Sequence, residues 1–110
     1  MLLPNHDDAF ISEDKLIGYL LSETHSVGRF KARLFNAVGY DSTDAQMLQQ
    51  ALIDIAREEE VTETNPTPYG TMYVIDGTLH TPSGTALHMR TVWIIDTGES
   101  RPRLVTAYPI

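Results

Sequence analysis

The sequence predicts an α+β domain, with two to three N-terminal helices packed on a C-terminal antiparallel sheet of three to four strands. Apolar residues recur at helical spacing up to about residue 60. From about residue 69 the period changes, and β-branched and aromatic residues crowd into short runs bounded by turns. Helices first and strands afterwards are the mark of this class. The length of 110 residues suits a single domain spanning 1–110, with a helical half at about 12–60 and a sheet half at about 69–109.

Residues 1–11 carry Pro4, Asn5, Asp7 and Asp8, which favour turns. Ser12 then caps a short helix, with Lys15 at its third position. Leu16, Ile17, Tyr19, Leu20 and Leu21 make that helix apolar, and Gly18 is its weak point. Residues 22–26 are a polar break. A second helix is expected over 27–38, where Val27, Phe30, Leu34, Phe35 and Val38 form one face and Gly39 is the stop. Thr43 and Gln46 stand at capping-box spacing before a third helix, whose period runs through Met47, Leu48, Ala51, Leu52, Ile55 and Ala56. Fraying is expected at Glu58, Glu59 and Glu60, because a helix C-terminus disfavours anions. Residues 62–68 (TETNPTP) read as a loop.

Strands are expected over 69–80, 85–95 and 104–108, with a turn at 81–84 (TPSG). Gly77 marks a bulge in the first of them. Pro102 and Pro109 bracket the last, as suits an edge strand.

Composition narrows the function. Eight basic against fifteen acidic residues give a net charge of −7 and a pI near 4.8. A diffuse electrostatic footprint on nucleic acid is therefore not expected, although a local cationic site is compatible with the sum. Acidity also suits a basic partner surface, or simply solubility. No cysteine is present, which excludes a thiol nucleophile and a thiolate-bound zinc. The longest apolar runs are a few residues, as at 92–95, so no membrane helix is expected. No secretory leader is seen, and the opening Met1-Leu2-Leu3-Pro4 reads as the natural start of a stand-alone cytoplasmic protein. Glycine-rich phosphate loops, a G-x-S-x-G elbow and the Rossmann fingerprint are all missing.

A few residues look out of place. Lys31 sits between Val27 and Phe35 on the apolar helix face, so it snorkels, pairs with a carboxylate or faces a cleft. Arg90 lies within the longest strand and shares a face with His88, Val92 and Ile94. The opposite face, with Leu87, Met89, Thr91, Trp93 and Ile95, is bulkier and is the expected core side. Arg90 is then either a solvated sheet arginine or an anion-binding fork. Leu104, Thr106 and Tyr108 alternate along one face of the last strand, and beside Arg90 they would bring two hydroxyls to a cation. His25, just before the second helix, is a solvated or capping histidine, or else a general acid–base group. His25, His80 and His88 have no metal-ligand spacing.

Two segments carry a resemblance. One is 25–35 (HSVGRFKARLF), with His25, Gly28, Lys31 and Phe35 around a helix start. The other is the pair 90–95 (RTVWII) and 102–109 (PRLVTAYP). Together they resemble a small uncharacterised bacterial domain family that occurs as stand-alone proteins beside a small partner gene, or as the tail of toxin-like proteins. The layout is similar to toxins of the barnase, EndoU, colicin and RelE (BECR) group of ribonuclease folds. That resemblance implies a toxin of a toxin–antitoxin or toxin–immunity pair. It also implies metal-independent cleavage of RNA, such as transfer RNA, leaving 2′,3′-cyclic phosphate ends and needing no cofactor. His25 would then be the acid or base, Lys31 and Arg90 would hold the phosphate, and Thr106 and Tyr108 would donate to it or orient it. A small antitoxin or immunity protein would be the partner. The alternative is a non-enzymatic interaction module, such as an antitoxin, immunity or adaptor protein, which the acidity suits equally. A ligand-binding or unrelated enzyme domain of the same class is the third reading. Oligomeric state is not encoded in any pattern here.

Overall fold

The structure, a computed structural model, describes residues 1–21, 28–40 and 44–110, with the side chains of 28–31 outside the description. The expected class is the observed one: helices in the first half, then a four-stranded antiparallel sheet.

After a short 3-10 turn at His6–Asp8, helix α1 begins at Glu13–Lys15. The Ser12 hydroxyl accepts the Lys15 amide at 3.2 Å, which satisfies one orphan donor of the first turn. The chain then widens into a π-helical turn over Leu16–Leu20, which seats Leu16 and Leu20 in the core. Helix α2 spans Gly28–Ala37 and carries Phe35 fully buried, its ring edge-on to Tyr40 at 6.3 Å. Gly39 ends it with a positive φ of 103° that favours glycine. Helix α3 spans Ala45–Glu58 and buries Leu48, Leu52, Ile55 and Ala56, a face at the predicted spacing. The helix stops at Glu58, short of the last two acidic residues. Thr43 of the expected capping box lies outside the described residues, and the residue capping α3 is Asp44, with no side-chain cap bond.

The sheet is a meander in the order β1-β2-β3-β4. Strands β2 (Gly70–His80) and β3 (Ala86–Asp96) form its centre, and β4 (Arg103–Pro109) is one edge. The other edge, β1 (Val61–Thr67), corrects the expected loop. Its exposed, polar residues show no core alternation. It is a strand because β2 supplies a pairing template from Thr67↔Gly70 back to Val61↔Ile75. Pro66 is tolerated because an edge strand needs ladder bonds on one side only.

Met89, Thr91 and Trp93 of β3 are buried with Ile75 and Leu79 of β2, in one core with the helices. Thr91 bridges this layer: its hydroxyl donates to the Ile75 carbonyl at 2.7 Å and accepts Trp93 Nε1–H at 2.8 Å. Gly77 makes no bulge, since it pairs regularly with Met89. A Cβ there would lie 2.9 Å from Ile55 Cγ2, so its role is to let α3 lie directly on β2. The bulges fall elsewhere, between Val61 and Glu63 on β1 and opposite Val92/Trp93 on β4. The second corrects the expected face. Leu104 pairs with Trp93 on the covered side, while Thr106 pairs with Val92 on the open side, so Leu104 and Thr106 do not share a face. The N-terminal segment closes against the sheet, with the Phe10 amide on the Pro102 carbonyl and the Leu104 amide on the Phe10 carbonyl.

Candidate functional site

The helices cover one face of the sheet. On the other, open face, cross-strand pairing sets side chains beside one another. Arg90 is opposite Asp76 on β2 and opposite Tyr108 on β4. Thr106 is on the same face, opposite Val92 and two residues from Tyr108. His88 stands two residues from Arg90, opposite Thr78.

The Arg90 fork is engaged side-on. Its Nε donates to one Asp76 carboxylate oxygen at 2.9 Å and its Nη2 to the other at 3.0 Å. Tyr108, opposite Arg90 on β4, also favours its charged form. Such a bidentate contact fixes both distance and plane. The hydrogen bonds from Arg90 hold the Asp76 carboxyl below its usual range against an opposing push from burial. The charges of Arg90 and His88 lower it further. Asp76 in turn pushes the guanidinium still further toward its charged form. A guanidinium has five N–H donors. Asp76 takes two of them from one side, so the tip of the group points away from that contact.

A second pair lies further along the same face. Arg103 donates to both oxygens of Asp96, at 2.6 and 2.9 Å, and holds that carboxyl low as well. Met72, Val74, Val92 and Ile94 lie between the two ion pairs, with Val74 and Ile94 buried.

Arg90, Thr106 and Tyr108 are thus brought together on one face. His25 lies outside the described residues, as does the Lys31 side chain. Lys31 belongs to α2, whose Phe35 and Val38 join the core under the covered face. The reading from sequence did not include Asp76. Its signal was present, because a hairpin centred on Ser83 sets Asp76 opposite Arg90. A separate groove of about 450 Å³ lies between α3 and the end of β2. It is lined by Asp54, Glu58, Glu59 and His80, and three carboxylates repel a phosphate chain. Among the described residues no three His, Asp or Glu side chains gather as a metal-binding set, and no helix is long and apolar enough to cross a membrane.

Fold and face together define a class: an α+β domain that buries one side of an antiparallel meander and leaves a charged, hydroxyl-bearing side exposed. Within it the chain belongs to the family described as "Domain of unknown function (DUF6883)", whose model matches residues 2–110. No curated protein matches the sequence. Among solved structures the chain is similar to a chain of the "Contact-dependent growth inhibition toxin - immunity protein complex from Klebsiella pneumoniae 342". The two share 17% identity, the match covers 94% of this chain and 95% of that one, and the TM-score is 0.72. At that identity the likeness is one of fold.

Proposed function

We propose that this domain is the toxin of a toxin–antitoxin or toxin–immunity pair and acts as a metal-independent endoribonuclease of the BECR kind. The observation that carries the reading is the open-face constellation of Arg90, Tyr108 and Thr106, with Asp76 gripping Arg90 from behind. Transphosphorylation of RNA needs a proton acceptor, a proton donor and a preorganised set of donors around phosphorus. The tip of Arg90 supplies N–H groups to the non-bridging oxygens, and the Tyr108 and Thr106 hydroxyls add neutral donors beside them. Lys31 starts from a helix on the covered side and has no part in this open-face grip, and His25 is retained from the sequence as the proton-transfer group. Attack of the 2′-oxygen then gives a 2′,3′-cyclic phosphate and a 5′-hydroxyl. The kinship of fold with a chain of a toxin–immunity complex supports a toxin or immunity role, with a small protein as cognate partner. Transfer RNA in the cytoplasm is the proposed substrate.

The test is cleavage of transfer RNA and total RNA by purified protein in excess EDTA, with Arg90→Ala alongside. Losing one such donor lowers turnover by about 10²–10³-fold. Arg90→Lys should not restore it, because an ammonium cannot grip Asp76 side-on and still present donors at its tip. A second reading, an immunity or antitoxin module, is favoured by one observation, the charge of −7. Absence of cleavage by folded protein freed of any partner would decide for it.

A further inference from the structure

We propose that His88 is a second proton-transfer residue of the open-face site, the acid that protonates the departing 5′-oxygen. The inference rests on the ribonuclease reading and completes it. In-line transphosphorylation needs two such groups, one on each side of phosphorus, and His25 accounts for one at most.

The described side chains leave one good candidate for the other. His88 is exposed on the face that carries Arg90, Tyr108 and Thr106, two positions along β3 from Arg90. Two strand positions are about 7 Å, a gap that a phosphate with a hydrogen bond on either side fills. The backbone is fixed there, since the Ile110 amide donates to the His88 carbonyl at 2.9 Å. Asp76, diagonal to it on β2, is close enough for the two charges to attract. Other groups on this face are less suited. Asp76 is committed to Arg90, and a tyrosine hydroxyl is a weak acid at neutral pH, whereas histidine titrates near it. His80 sits a further two positions away, opposite Ala86 at the strand end.

The step balances without redox chemistry. The 2′-oxygen bonds to phosphorus as its proton passes to the base. The bond from phosphorus to the 5′-oxygen breaks, and the proton on His88 moves to that oxygen.

The experiment compares wild type, His88→Gln and His88→Asn on two substrates. One is a short oligoribonucleotide. The other is a nucleoside 3′-(4-nitrophenyl phosphate), whose leaving group departs without a proton. The variants should lose about 10²–10³-fold on the oligoribonucleotide, in the range of general acid catalysis, and stay within about tenfold of wild type on the nitrophenyl ester. His80→Gln should keep both rates, and urea midpoints matching wild type would show that the variants fold. Undiminished RNA cleavage, or equal losses on both substrates, overturns the role of His88 alone. A wild type that cleaves neither substrate overturns the ribonuclease reading and this inference with it.

Discussion

Gly77→Ala tests how α3 is seated on the sheet. The added Cβ would lie 2.9 Å from Ile55 Cγ2 and 3.2 Å from Ile55 Cγ1 and Glu59 Cγ. Carbon atoms pack best at about 3.5–4.0 Å, so all three contacts are compressed. The Glu59 side chain is flexible and can swing away. Ile55 is buried, and its Cγ atoms lie one bond from Cβ, so relief requires α3 to shift. Overpacking of this kind costs about 1–3 kcal/mol. Against it stands a gain of about 0.4–1 kcal/mol from the stiffer unfolded chain. The net expectation is a loss of about 1–2 kcal/mol. With a urea slope of about 1–3 kcal/mol per molar, the unfolding midpoint should fall by about 0.5–1 M. Ile55→Ala removes the clashing atoms and alone should cost about 2–5 kcal/mol. The Gly77→Ala/Ile55→Ala pair should be less destabilised than the two losses combined, since the new methyl enters the space that Ile55 vacates. A Gly77→Ala midpoint equal to or above wild type, or strict additivity in the pair, would refute the close approach of helix and strand.

Two further outcomes follow from the core and the open face. Thr91→Val keeps the shape but removes the acceptor of Trp93 Nε1–H, a buried bond of 2.8 Å, and should cost about 1–3 kcal/mol in urea unfolding. Trp93 fluorescence should shift at the same time, and an unchanged midpoint would mean that the indole finds another partner. Acid should also weaken the fold. Asp76 and Asp96 have carboxyls held below the usual value by Arg90 and Arg103. The stability they contribute is complete above an unfolded-chain pKa of about 3.9, and is lost as pH falls through the depressed values. Urea midpoints should therefore fall as pH drops below about 4, with a shallower drop in Asp76→Asn/Asp96→Asn. Equal slopes in the two proteins would count against both ion pairs.

What the sequence reveals divides along physical lines. Helices α2 and α3 and strands β2 to β4 announce themselves because each carries its own apolar period. Strand β1 does not, for Thr62, Glu63, Asn65 and Pro66 are exposed and its order comes wholly from pairing with β2. Gly77 was misread because a strand glycine signals either a bulge or a close approach, and only the position of Ile55 decides between them. Arg90 was legible as a cation on the open face. That Asp76 would grip it depended on hairpin register, which the turn at 81–84 implies but strand propensities alone do not. The roles proposed for His25 and Lys31 come from the sequence, since both side chains lie outside the described residues.

The bulge on β4 has a consequence for how such a surface arises. Counting back from Tyr108 by strict alternation would put Leu104 in solvent, and counting forward from Leu104 would turn Thr106 and Tyr108 into the core. The conflict arises because Val105 is one residue too many, and the strand absorbs it as a bulge that leaves Val105 out of the pairing register. Loss of Val105 would set Leu104 directly before Thr106, and plain alternation would then keep Leu104 on the covered face and Thr106 and Tyr108 on the open one. The facing of Thr106 and Tyr108 therefore does not depend on the bulge, whose own contribution is the local bend and twist of the strand beside them.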